Sequence, residues 1–127
     1  MGPLIARGHV WRVVRVSPDD PLLMDRTGIQ RIATADPTSK VIRISWDVMP
    51  PLLDQVYLHE ATHAIMEEAG VNELLSRLPD EWQQVITEEL LAWFLGTHAI
   101  EVVDAVSSSL GRPVCVAGTC LGGHQWK

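Results

Sequence analysis

The first third of the chain carries patterns typical of β-structure. Residues 9–16 alternate loosely between apolar and polar types and are rich in Val and Trp, which predicts a strand. Residues 29–35 and 40–46 are two β-prone runs separated by the turn-forming tetrad Asp-Pro-Thr-Ser at 36–39, which predicts a hairpin. We therefore expect the chain to open with a β-sheet.

Apolar residues recur at helical spacing from Pro50 onward. Pro50 and Pro51 suit the first turn of a helix, and no further Gly or Pro occurs until Gly70, so residues 50–69 are predicted to form a helix. Its apolar stripe is Leu58, Ala61, Ile65 and Ala69. Weaker signals predict a short helix at 72–78, a second long helix over 80–95 and a further helix over 97–110.

These elements predict a single α+β domain, with strands in residues 1–46, helices in 50–111 and an unassigned tail in 112–127. A length of 127 residues fits one domain, and 46% hydrophobic residues suit a globular core. The net charge of −6 argues against binding to nucleic acid. The apolar runs are shorter than the ~20 residues of a membrane span, and the start lacks a signal-peptide layout, so we expect a cytoplasmic protein.

The strongest chemical signal is the pentapeptide His59-Glu60-Ala61-Thr62-His63, which matches the pattern His-Glu-x-x-His. Four residues are about one helical turn, so both imidazoles project from one side of the predicted helix and can share a metal ion. Zinc held in this way keeps a position for water and lowers the pKa of that water toward ~7. The pattern predicts a catalytic Zn²⁺ with His59 and His63 as ligands and Glu60 as general base.

The predicted hairpin, the His-Glu-x-x-His helix and a later Glu-x-x-Ala helix, over residues 29–96, resemble the minimal gluzincins. That class includes the ImmA/IrrE-type bacterial and phage metallopeptidases. The resemblance implies a small zincin-like domain, zinc as cofactor, endopeptidase activity, and a third zinc ligand from a Glu on a helix that crosses the first.

Two adjacent residues, Glu88 and Glu89, are the candidates for this third ligand. Glu89 shares its helix face with Ala92 and Gly96, whose small side chains allow the close helix approach that a ~2 Å ligand bond requires. Glu88 shares its face with larger residues. The pattern favours Glu89 and leaves Glu88 as the alternative.

The resemblance also implies that a peptide or protein substrate binds along the edge strand that precedes the catalytic helix. Residues 41–46 are the predicted strand, with Arg43 facing the cleft. Tyr57 and His98 are polar rings near the predicted helices and are candidates to stabilise the oxyanion. The substrate and the oligomeric state are not readable from the residues.

Two further features leave alternatives open. Cys115 and Cys120, with His124 behind them, lack the two-residue spacing of a zinc knuckle, so the sequence favours unpaired thiols over a second metal site or a disulfide. The same motif could also belong to a catalytically silent zincin-fold domain kept for regulation or interaction. Intact Glu60 favours the enzyme.

Overall fold

The computed structural model describes residues 1–24, 28–80, 94, 98–116 and 119–121. Within these ranges it is an α+β fold, with a four-stranded mixed sheet, a small two-stranded sheet and three helices. The predicted fold class is therefore confirmed at this level. None of the described helices is long and apolar enough to cross a membrane.

The main sheet contains β1 (Leu4–Ala6), β2 (His9–Val16), β3 (Ala33–Asp36) and β4 (Val41–Ser45), in the order β1-β2-β4-β3. β2 lies parallel to β4, while β1 pairs antiparallel with β2 and β3 pairs antiparallel with β4. The predicted strand at 9–16 and the predicted hairpin are both confirmed. β1 carries no strong pattern and was not predicted.

The position of β4 corrects one expectation. β4 is hydrogen-bonded on both sides, to β2 and to β3, so the edge strand beside the helix that carries the motif is β3 and not residues 41–46. Ile42 and Ile44 of β4 are fully buried in the core, so Arg43 between them lies on the opposite face of the sheet. There its guanidinium is 3.7 Å from the carboxylate of Asp36, and it does not face the cleft.

The helix that carries the motif, α1 (Leu52–Glu68), packs one face against the sheet. Tyr57, Ala61, Ala64 and Ile65 of this face are fully buried. Gly70 ends the helix with a φ of 78°, a conformation that favours glycine, and α2 (Val71–Ser76) follows directly. The predicted bounds of both helices hold to within about two residues, as expected at helix ends.

The last described elements are α3 (residues 98–110) and the hairpin β5 (Val114–Val116) and β6 (Thr119–Leu121). Helix α3 confirms the prediction over 98–110, whereas the predicted helix over 80–95 falls outside the described residues except for Asp80 and Phe94. Cys115 is disulfide-bonded, and the register places it opposite Cys120. The expectation of unpaired thiols was therefore wrong for Cys115, because a tight hairpin brings the two positions together.

This C-terminal segment is fastened to the beginning of α1. The carboxylate of Asp54 accepts two hydrogen bonds of 2.7 Å from Arg112 and a third of 2.8 Å from the backbone N–H of Cys115. These bonds hold the pKa of Asp54 below its ordinary value, chiefly through the Arg112 guanidinium. The buried aspartate thus fixes the start of α1.

Candidate metal and catalytic site

His59 and His63 lie one turn apart on α1, and their side chains converge. The two Nε2 atoms are 3.2 Å apart, and the rings meet edge to face with centroids separated by 4.9 Å. The helix places both residues away from the face that Tyr57 and Ala61 bury in the core. The predicted pair is therefore assembled by the backbone of a single helix.

This separation fits two ligands of one zinc ion. Zn–N bonds of about 2.05 Å at a tetrahedral angle place two ligand nitrogens about 3.3 Å apart. Desolvation by the surrounding protein, together with neighbouring His59, lowers the pKa of His63, so its imidazole is neutral at pH 7 and has a lone pair to donate. Spacing and protonation state both suit a metal.

Glu60 lies beside the pair and is the buried acidic group of the site. Only 8% of the residue is exposed, and this burial raises the pKa of Glu60 to about 7. A carboxyl group with such a pKa can accept and release a proton near neutral pH, which is the requirement for a general acid–base residue.

Two clefts between β3 and α1 meet at Glu60. The first, which we call the Glu67 cleft, has a volume of about 310 Å³. The second, the Val56 cleft, has a volume of about 370 Å³. His63 lines the first and His59 the second, so each imidazole faces one side of the groove. Together the clefts form a groove that runs along the edge strand.

The free edge of β3 borders this groove. Ser45 donates its N–H to the carbonyl of Ile32 at 2.8 Å, so the backbone N–H and C=O groups of residue 32 point toward β4. Backbone groups alternate in direction along a strand, so those of residues 34 and 36 also point toward β4. Those of Arg31, Ala33 and Ala35 point outward. The N–H of Arg31 donates to Leu23 at 2.9 Å, and within the described part of the chain the outward backbone groups of Ala33 and Ala35 have no backbone partner.

The two candidate oxyanion residues, Tyr57 and His98, lie away from the groove beside the two histidines. Tyr57 is fully buried, and its hydroxyl donates to Ser109 Oγ at 2.5 Å, so it points into the core away from the two histidines. His98 pairs with Glu101 at 2.8 Å and stacks on Phe94. Neither residue lines the two clefts.

Neither candidate for the third ligand is among the residues that the structure describes. Glu88 and Glu89 lie outside the described ranges, as does His124. Within the described part of the chain, no group of three or more His, Cys, Asp or Glu side chains is arranged to hold a metal. The described residues thus include two candidate ligands and the adjacent carboxyl group of Glu60.

Several groove residues were not anticipated from the sequence. Glu67, Asn72 and Trp11 line the Glu67 cleft, Ala35 lines the same cleft, and Ala33 lines the Val56 cleft. Glu67 could have been found, because it follows His63 by four residues and so projects from the same side of α1. The others depend on strand order and on the turn after α1.

Comparison with known proteins gives no assignment: no family model matches the chain, nor does any curated protein or solved structure.

Proposed function

We propose that this protein is a zinc-dependent endopeptidase with a zincin-like site of the gluzincin type. The observation that supports it most is the convergence of the two imidazole Nε2 atoms, 3.2 Å apart, beside the buried carboxyl group of Glu60. The groove that passes this point follows an open strand edge, which is how proteins commonly hold extended peptides.

His59 and His63 would hold the metal, with Glu89 as third ligand and Glu88 as the alternative. A zinc ion at this position supplies Lewis acidity toward a water molecule and a peptide carbonyl. Glu60 takes the proton from the water on its carboxylate and then transfers it to the leaving amine nitrogen. Its burial raises its pKa to about 7 and so suits it to both steps.

The substrate is positioned by the outward N–H and C=O groups of Ala33 and Ala35. An extended peptide that pairs with this edge lies over the groove, with its backbone beside Glu60. Because Leu23 already occupies the edge at Arg31 and Pro37 has no N–H, pairing is confined to a short stretch. A flexible segment of a protein fits this geometry better than a folded surface.

The test is zinc content together with proteolysis. Protein purified without chelator is expected to contain one zinc per chain, and His63→Ala is expected to lose it. His9→Ala serves as the matched control, because His9 is an exposed histidine whose contact is with Glu68. Folded parent protein without zinc at equimolar supply would overturn the proposal.

Glu60→Gln separates metal binding from chemistry. It keeps the shape of the side chain but cannot accept the proton, so we expect zinc to be retained and cleavage of an unfolded protein to fall by about 10²-fold or more. A hydroxamate inhibitor should bind to the parent, since it occupies the open position of a catalytic zinc. Retained zinc without hydroxamate binding or turnover would favour the catalytically silent module.

The third ligand can be assigned by a pair of matched variants. Glu89→Gln is expected to weaken zinc binding by at least ~10-fold, whereas Glu88→Gln is expected to leave it near that of the parent. The reverse result would assign the ligand to Glu88 and keep the function. If both variants keep their zinc, the result contradicts a gluzincin-type site.

A further inference from the structure

We propose that the groove selects an extended peptide in which a basic and an apolar residue stand two positions apart, the basic residue nearer the N-terminus. The basic side chain enters the Glu67 cleft and the apolar side chain enters the Val56 cleft. This inference rests on the proposed peptidase function and adds the substrate class to it.

The spacing follows from the register of the edge strand. Ala33 lines the Val56 cleft and Ala35 lines the Glu67 cleft, and the side chains of both face α1. Side chains alternate along a strand, so only peptide residues opposite Ala33 and Ala35 face the clefts, and the residue between them points away. Two residues of a strand span about 6.6 Å, so the two side chains straddle Glu60.

The Glu67 cleft is suited to a cation. The Oε2 atom of Glu67 accepts a hydrogen bond of 2.7 Å from the amide of Asn72, which is neutral and leaves the negative charge in place. Of the described residues that line this cleft, none is Lys or Arg. Pro37 supplies an apolar surface along which the methylene stem of a lysine can lie.

The Val56 cleft offers an apolar wall to a side chain that enters it. Leu52 and Val56 lie one turn apart on α1 and face Ala33 across the cleft. An aliphatic side chain buries the apolar surface without leaving a polar group unpaired.

The order of the two residues follows from strand direction. Antiparallel pairing is slightly more stable per residue than parallel pairing, and the outer edge of β3 can form it without rearrangement. A peptide antiparallel to β3 passes Ala35 before Ala33. The basic residue is therefore followed, two positions later, by the apolar one.

The test uses fluorescence anisotropy with zinc-loaded Glu60→Gln, which does not consume the peptide. A labelled nonapeptide with Lys-Ser-Leu at its centre is compared with Gln-Ser-Leu, Lys-Leu-Ser and Leu-Ser-Lys in the same frame. We expect Lys-Ser-Leu to bind about two- to fivefold more tightly than each of the others, which is the range that an exposed ion pair can supply. Parent protein should cleave it next to the central serine.

The variant Glu67→Gln tests whether Glu67 is responsible for the preference for Lys over Gln. Added to the Glu60→Gln background, it should reduce the Lys-over-Gln preference to about one, while Glu73→Gln, which removes a carboxylate from the exposed surface of α2, should leave the preference intact. Circular dichroism of each variant confirms that the fold is kept. A Lys-over-Gln preference that persists in folded Glu67→Gln contradicts the assignment.

The two proposals fail in different ways. Binding or cleavage that is indifferent to spacing, charge or order overturns the selectivity and leaves the peptidase standing. Selective binding of Lys-Ser-Leu with no cleavage by the zinc-loaded parent overturns the peptidase and leaves the binding register standing. Failure to bind or cleave any of the peptides overturns both.

Discussion

Substituting proline into the edge strand tests whether the open edge of β3 is the substrate-binding element. Proline removes one backbone N–H, and the register determines which neighbour loses a hydrogen bond. The N–H of Ala35 points outward and takes no part in the pairing with β4, whereas the N–H of Thr34 points toward Arg43 of β4. Ala35→Pro and Thr34→Pro are therefore adjacent substitutions with opposite expected effects.

The magnitudes follow from one hydrogen bond in each case. Ala35→Pro should remove a bond to the substrate only, worth about 0.5–1.5 kcal/mol, so kcat/KM should fall by roughly 2- to 12-fold with the fold retained. Thr34→Pro should leave the carbonyl of Arg43 without its partner, at a cost of about 1–3 kcal/mol of folding free energy. For a chain of this length that corresponds to a Tm lower by roughly 4 °C per kcal/mol.

The assay pairs thermal unfolding with cleavage kinetics on one peptide. The expected outcome is a near-parental Tm with reduced kcat/KM for Ala35→Pro, and a clearly reduced Tm for Thr34→Pro. Ala35→Pro that is as unstable as Thr34→Pro would refute the register. A stable Ala35→Pro variant with parental kcat/KM would refute the edge as the binding element.

Three further predictions concern the scaffold. Asp54→Asn should lower stability at pH 7 by about 1.5–3 kcal/mol, because it removes the charge that binds Arg112. Arg112 holds the pKa of Asp54 below 3.8, so the difference from the parent should be full above pH ~4 and vanish as the pH falls through that lowered pKa; a constant difference in urea titrations contradicts this. Gly70→Ala should cost about 1 kcal/mol in the same titrations from its φ of 78° alone, since an added Cβ meets no atom within 4 Å, and a neutral result would refute the strain. Tyr57→Phe should lower stability by about 1 kcal/mol through the lost bond to Ser109 and leave kcat unchanged; a large fall in kcat would restore Tyr57 as an oxyanion residue.

The motif helix was predictable because its signals are local. The two prolines before α1, the left-handed Gly70 after it and the one-turn spacing of His59 and His63 all depend on residues within the helix or next to it. The convergence of the two Nε2 atoms requires only helical geometry. Predictions of this kind need no knowledge of the rest of the fold.

The edge strand was misassigned because the hydrophobicity of a segment indicates how deeply it is buried and does not indicate which strand lies beside the site. Residues 41–45 read as the stronger strand since β4 is buried between two neighbours, with Ile42 and Ile44 fully inaccessible. Residues 33–36 are small or polar because an edge strand is solvated on one side. The parallel pairing of β2 with β4 decides the order, and it joins segments about 30 residues apart.

Helix α1 serves both as a core element and as the support of the site, and its two ends are held separately. At its start Asp54 is bound by Arg112, and at its end the carboxylate of Glu68 accepts a hydrogen bond from Trp11 Nε1 at 3.2 Å and pairs with Lys40. Lys40 ends the turn between β3 and β4, so this second contact fixes the helix against the same hairpin that supplies the free edge. The distance between Glu60 and the edge of β3 is thereby fixed by the fold, since side-chain contacts and a buried helix face restrict the helix in both rotation and translation. The proton transfer proposed for Glu60 needs such fixed geometry. A helix held by side-chain contacts at both ends can provide it.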